Sequence, residues 1–274
     1  MPNILVLASE TIGGTALLEA VRRKAEQGDA RFFVVVPQTK PRHGMVVYAD
    51  AVRDAAQVRV DLTTAFMDVE GLEGEGEVGD ADPFTAAMDA IRHFGIDEII
   101  VSTRPAATSG WLRRDLPERI HEESGLPVEH VVVDIDREGL PFDVTLVAAN
   151  QTLATDELVE HLLRKAQEGP RRFIVVAPVD SGSGADVRAG RERLRALITS
   201  LRRRDIVAAG FIGDPDPFTA IMNALQTFHI SEIVISTLPE SSSKWLQKGL
   251  IERVRRASGR PVEHVQSASV GAPA

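Results

Sequence analysis

Runs of nearly unbroken apolar residues alternate along this chain with stretches in which apolar positions recur every three or four residues. The runs lie at about 3 to 8, 32 to 36, 97 to 102 and 127 to 133, and again at 143 to 148, 172 to 177, 206 to 212, 231 to 236 and 261 to 266. They are short and apolar at successive positions, as strands covered on both faces must be. Between them, Thr15 to Gln27, Asp82 to Phe94 and Ser109 to Ser124 carry helical spacing with turn or cap residues at their ends. The third strand of the first half is the weak element, because Glu73 to Val78 alternates acid and glycine. Strand, helix, strand connections are right-handed and cover both faces of a sheet. Five strands with four intervening helices in each half therefore predict an α/β fold of two doubly wound parallel sheets, each in the order 3-2-1-4-5.

The two halves are copies. Gly79 to Val131 aligns without gaps to Gly213 to Val265, with 29 identities in 53 positions. Upstream, residues 16 to 37 face 157 to 178. The offset falls from 141 to 134 between these blocks, so the first copy carries seven extra residues, expected in the tract Glu70 to Gly79. The expected domains are 1–136 and 141–267. A short linker and two apolar last strands in need of cover predict that the copies pack together with a pseudo-twofold relation.

Composition narrows the function. The absence of cysteine excludes thiolate catalysis and disulfides and fits a reducing compartment. No secretory signal and no run approaching the ~20 residues of a membrane span are present, so a cytoplasmic protein without a membrane partner is expected. A net charge of −9 argues against nucleic acid as a partner. The charge is uneven: 14 basic and 25 acidic residues stand in 1–141, against 17 and 15 in 142–274.

In an open parallel sheet, ligands bind beyond the carboxyl ends of the strands where the strand order reverses. The residues expected there are Thr11, Gly13, Gly14, Ser102, Thr103 and Ser109 in copy one, with Thr152, Ser236, Thr237 and Ser243 in copy two. Ser109 and Ser243 are read as lying at helix N-termini, where free N–H groups favour an anion. Capping and loop-tying are the structural alternative for these hydroxyls. The repeated Gly-Asp-x-Asp-Pro-Phe motif, at 79–84 and 213–218, reads as an aspartate N-cap (Asp82, Asp216) followed by proline at the first helical position. Asp80 and Asp214 are left for a turn or a ribose hydroxyl. Trp111 and Trp245 are read as core or interface residues one turn into a fourth helix. The seven histidines form no metal motif, and neither a phosphate-binding Gly-Lys-Ser/Thr loop nor a Gly-x-Ser-x-Gly elbow is present.

The stretches EIIVSTRPAATSGWLRRDLPERIHEESGLPVEHV (98–131) and EIVISTLPESSSKWLQKGLIERVRRASGRPVEHV (232–265), with the opening strand and helix of each copy, resemble the universal stress protein family. The resemblance implies the same five-stranded fold, pairing through last strands, a cytoplasmic stress-response role and, in some members, bound ATP. ATP-binding members carry an aspartate at the end of strand one and a glycine-rich loop after strand four. Here strand one ends in Ala8, Ser9 and in Ala149, Asn150. The loop's glycine positions hold Val101, Arg104 and Arg114, then Asp115, and in copy two Ile235, Leu238 and Lys248, then Gly249. Glycine there lets the backbone approach phosphates. The resulting expectation is a non-enzymatic regulator that binds an adenine nucleotide or another small anion weakly, more strongly in copy one because Arg104 faces Leu238. The alternatives are a slow nucleotide hydrolase and a protein-interaction scaffold, with a further homo-oligomer or an unknown protein as partner.

Overall fold

The computed structural model describes residues 1–38, 49–105, 109, 111, 115–153, 155–179, 184–239, 241, 243–247 and 249–267. Two compact units divide the chain, Met1–Pro141 and Phe142–Ala274. In the first, the elements run β1 (Asn3–Leu7), α1 (Thr15–Glu26), β2 (Arg31–Pro37), α2 (Ala49–Glu70), β3 (Glu73–Gly79), α3 (Pro83–Phe94), β4 (Glu98–Thr103), α4 (Leu116–Ser124) and β5 (Val128–Val132), then a one-turn α5 (Ile135–Glu138). The second repeats them as β6 (Asp143–Ala148), α6 (Asp156–Ala166), β7 (Arg171–Pro178), α7 (Gly184–Arg202), β8 (Ala208–Gly213), α8 (Pro217–Thr227), β9 (Glu232–Thr237), α9 (Lys244–Gln247), α10 (Leu250–Ser258) and β10 (Val262–Gln266). Both sheets are five-stranded and parallel, in the orders β3-β2-β1-β4-β5 and β8-β7-β6-β9-β10.

Side chains alternate across a strand, so a strand covered on both faces is apolar throughout. In unit 1, Ile4, Val6 and Ala8 join Leu17, Ala20 and Val21 of α1 and Ala56, Val60 and Met67 of α2 in one core layer. Leu5 and Leu7 enter the other, beneath Ala86, Ala87 and Ala90 of α3 and Leu116 and Ile120 of α4. The acid–glycine tract is a strand after all. Its glycines face α2, and a Cβ on Gly76 would stand 2.9 Å from Val60 Cγ1, just as one on Gly210 of β8 would stand 2.8 Å from Leu194 Cδ1 of α7. Glu73, Glu75 and Glu77 stay exposed on an edge strand, where charge discourages further pairing.

That strand also corrects the place of the seven extra residues. Every residue of β3 is in register with β2, ending on Pro37↔Gly79, and the equivalent pair in unit 2 is Pro178↔Gly213. No insertion fits inside such a ladder, so the extra residues lie between Pro37 and Glu73. Part of the difference is helix length, 22 residues in α2 against 19 in α7.

The proline-aspartate motif folds as expected. Asp82 Oδ2 accepts from Thr85 N (3.1 Å) and Thr85 Oγ1 (3.0 Å), and Asp216 Oδ2 accepts from Thr219 N and Oγ1 (both 2.9 Å). Asp80 and Asp214 take the turn role, since their Oδ1 atoms accept from Asp82 N (2.7 Å) and Asp216 N (2.8 Å).

Candidate functional site

The strand order reverses between β1 and β4, and between β6 and β9, so each unit has one crevice at its carboxyl edge. Thr11 and Thr152 hold equivalent places just beyond the first strand. Their hydroxyls donate across the reversal point to Ser102 O (3.4 Å) and Ser236 O (3.3 Å). Gly13 and Gly14 complete the turn into α1, with Gly13 at φ 91° and Gly14 as N-cap, its N–H bonded to Thr11 O at 3.1 Å. These residues do converge.

Thr103 and Thr237 face the other way. Thr103 Oγ1 lies 2.8 Å from His130 Nε2 on β5, and Thr237 Oγ1 lies 2.8 Å from His264 Nε2 on β10. Burial pushes both imidazoles below the usual histidine pKa, opposed at His130 by Glu118, and at His264 reinforced by Arg255 and opposed by Glu252. These two histidines tie the last strand to its neighbour.

The expectation for Ser109 and Ser243 needs correction. The helix predicted from Ser109 begins only at Leu116, because Asp115 sits in the left-handed region at φ 48° and cannot continue a right-handed helix. Gly249 holds the same conformation, φ 61°, in unit 2. Ser109 N bonds instead to Pro105 O (2.8 Å) and Ser243 N to Pro239 O (2.9 Å), each closing a turn within its own loop. Ser243 Oγ accepts from Leu246 N at 3.3 Å and so caps only the four-residue α9. Trp111 therefore precedes α4 rather than lying in it, and packs on the layer formed with α3. Arg114, Lys248 and Ser181 to Ser183 lie outside the described residues.

Sequence reasoning missed the groups that set the charge of the two crevices. Arg59 of α2 and Arg193 of α7 are equivalent residues, one position before the equivalent core residues Val60 and Leu194. Arg193 grips the end of β6, donating from Nη2 to Asn150 Oδ1 (2.7 Å) and from Nε to Asn150 O (3.3 Å). Both acceptors are neutral, and among the described residues no carboxylate pairs with it. In unit 1, burial lowers the pKa of Arg59 while Glu10 opposes that effect. Glu10 also takes Arg104 Nη1 at 3.0 Å, and Arg104 pairs with Asp136 as well. Two arginines and two carboxylates thus interleave at the first crevice. The second keeps one arginine on neutral oxygens, with Gln151 and Leu238 at the positions of Glu10 and Arg104. A repeat alignment that includes the seven-residue offset would have found the arginine pair.

Behind the crevice of unit 2, hydroxyls form a buried group. Thr155 Oγ1 donates to Ser267 Oγ (2.9 Å) and lies 2.8 Å from Thr152 O, while Ser236 Oγ is 3.3 Å from Ser267 Oγ. The unit 1 counterparts are Gly14, Val133 and Ser102, and the Ser102 hydroxyl is buried without a partner.

Among the described residues, no group of three His, Asp or Glu side chains stands where it could hold a metal ion, and no helix is long and apolar enough to cross a membrane. No protein-family model and no curated protein matches the chain. Solved structures that match it include universal stress proteins. One from Archaeoglobus fulgidus is 18% identical with a TM-score of 0.36, covering 96% of each chain. A family protein from Burkholderia pseudomallei is 18% identical with a TM-score of 0.34, over 47% of this chain and 94% of its own. A third, from Arabidopsis thaliana with AMP bound, is 12% identical with a TM-score of 0.34, over 50% and 94%.

Proposed function

We propose that this chain is a tandem universal stress protein, a cytoplasmic stress-response regulator that holds a small anionic ligand in the crevice of its second unit and does not turn it over. The observation that carries the ligand reading is Arg193, a guanidinium placed at the strand-order reversal and held there, among the described residues, by the neutral oxygens of Asn150. A guanidinium in that position presents its remaining N–H groups and its charge to an incoming carboxylate or phosphate. Copy one loses the advantage that Arg104 suggested, because Glu10 and Asp136 already neutralise it. An adenine nucleotide is the ligand class to test first, on the strength of the sequence resemblance. Its binding is weak, since arginine, leucine and lysine stand where the backbone would need glycine to reach the phosphates. Regulation rather than catalysis fits a crevice whose acids in unit 1 are engaged by arginine and where Gln151 stands in unit 2 at the position of Glu10.

Calorimetric titration of the whole protein with AMP, ATP and inorganic phosphate tests this. The expected result is weak, salt-sensitive binding that Arg193→Ala removes and Arg104→Ala leaves in place. Binding lost with Arg104 but not with Arg193, or submicromolar affinity for magnesium-ATP, overturns the reading. Steady release of phosphate from ATP, absent in Arg193→Ala, would show an enzyme instead.

A further inference from the structure

The turns that end α4 and α10 are equivalent and built alike. Ser124 and Ser258 are the last helical residues, each followed by a glycine in the left-handed region (Gly125 at φ 69°, Gly259 at φ 60°), one further residue and a proline. Each serine Oγ accepts the backbone N–H two residues on, from Leu126 at 3.1 Å and from Arg260 at 3.2 Å. A serine placed in this way ties the helix end to the strand that follows, and in unit 1 the role engages the whole hydroxyl, since Ser124 Oγ also donates to Ile120 O at 2.6 Å. Gly125 N closes the same turn on His121 O at 2.8 Å. Among the described residues, neither of these last two bonds has a counterpart in unit 2. The Ser258 hydroxyl keeps its proton for another acceptor, and the last turn of α10 is open at Gly259.

The charges around the two serines are opposite in sign. His121, Glu122 and Glu123 precede Ser124, whereas Arg255, Arg256 and Ala257 precede Ser258, and Arg260 stands where unit 1 has Leu126. Arg255, Arg256, Ala257, Gly259 and Arg260 are exposed, and Ser258 is half-buried. Arg255 is held by Glu252 at 3.3 Å, while among the described residues Arg256 and Arg260 have no carboxylate partner. Tying the helix end needs none of these arginines, because Ser124 does it beside two glutamates. Protein kinases select substrates by the pattern of charge along the chain, and a cleft lined with carboxylates takes a serine that follows arginines. We propose that Ser258 is a phosphoryl-acceptor site for a serine kinase with such an acidic cleft, and that Ser124 is not. In the transfer, Ser258 Oγ attacks the γ-phosphorus of ATP. The new O–P bond forms as the bond from that phosphorus to ADP breaks, and the hydroxyl proton passes to the base of the kinase. Entry into the cleft requires the segment to unwind, and a helix end without its closing bond opens at least cost.

Once in place, the phosphate carries a charge of about −1.5 to −2. Arg255, three residues earlier, shares its side of the helix, and Arg260 reaches it from the turn, so two guanidiniums are placed to pair with it. Arg256, two residues earlier, lies on another side and serves recognition alone. The C-terminal end of α10 disfavours an anion, which the two guanidiniums offset. Beside Ser124, Glu122 and Glu123 would only add repulsion.

The test combines the full chain, magnesium-ATP and a purified serine kinase selective for arginines two and three residues before its acceptor. Tandem mass spectrometry should place a single phosphoryl group on Ser258 and none on Ser124. Ser258→Ala should abolish incorporation and Ser258→Thr should retain it. Arg255→Ala/Arg256→Ala should slow it on the order of tenfold, with far-ultraviolet dichroism unchanged. No incorporation overturns the proposal, as does incorporation at Ser200 or another hydroxyl in place of Ser258, or a rate indifferent to the two arginines. In the phosphorylated chain, phosphorus NMR should show the second ionisation of the phosphate below its usual value of about 6, and Arg260→Ala should return it toward that value. An ordinary value in the unaltered chain would overturn the pairing with Arg255 and Arg260. Ser258 leads into the amino end of β10, whereas the Arg193 crevice lies at the carboxyl ends of the strands, so this outcome is independent of the ligand reading.

Discussion

Behind the first crevice, Gly14 and Val133 stand where the second has Thr155 and Ser267, and the two pairs solve the same packing problem in incompatible ways. In unit 2 the two hydroxyls bond to each other, and Ser267 also reaches Ser236. In unit 1 a valine fills the space, and a Cβ built on Gly14 would overlap Val133 Cγ1. The exchange leaves Ser102 with a buried hydroxyl and no partner, a deficit of about 1–3 kcal/mol for an unsatisfied group. Two copies of one fold have thus diverged by paired substitutions, each tolerable only with its mate. Nearby, the charges diverged as well, from interleaved arginines and acids to a single arginine on neutral oxygens.

The largest expected effect comes from mixing the two solutions. Gly14→Thr in unit 1 should cost on the order of 2–3 kcal/mol, because the new side chain meets Val133 in a close-packed layer. Adding Val133→Ser should recover most of the loss, since it removes the clash and offers Ser102 a partner. Urea unfolding followed by tryptophan fluorescence can read this unit by unit, because Trp111 and Trp245 are the only tryptophans and lie one in each copy. Additive single and double changes would mean that the two positions are not coupled. Conversely, Ser267→Val in unit 2 crowds Thr155 and removes the hydrogen bond that Ser267 gives the Ser236 hydroxyl. A loss of about 2 kcal/mol is expected, partly relieved by Thr155→Gly.

Where the copies agree, they should respond alike. Asp82→Ala and Asp216→Ala each remove two hydrogen bonds at a helix start and should each cost about 1 kcal/mol. A markedly larger loss in one unit would show that its aspartate does more than cap.

The smallest effect separates the copies by pH. A histidine whose folded pKa is depressed binds its proton more readily in the unfolded chain. Its destabilising effect is absent above the unfolded value of about 6.5 and grows as pH falls through the interval down to the folded value. Both His130 and His264 act in this direction; at His264 Arg255 adds to the shift ahead of the opposing Glu252, whereas at His130 Glu118 only opposes it. Melting temperatures between pH 7.5 and 5 should therefore fall, and His264→Gln should flatten the profile more than His130→Gln. Equal flattening would remove the role given to the neighbouring charges.

The sequence by itself determined whatever depends on neighbours in the chain or on repetition. The apolar runs announced nine of the strands, the repeat announced two copies of one fold, and Asp82 and Asp216 announced their caps because the N–H they accept from is three residues away. The third strand was hard to see because its glycines answer to α2 packed above it, not to strand propensity. The helix expected from Ser109 was drawn too long because periodicity does not register a residue such as Asp115 in the left-handed region. Only the tertiary structure decided the charge of the crevices. Arg104 meets Glu10 across 94 residues of chain and Arg193 meets Asn150 across 43. Such pairs form because the strand order brings the ends of separate strands together, and an alignment of side chains along the sequence carries no record of which arginine will find a carboxylate and which will find an amide.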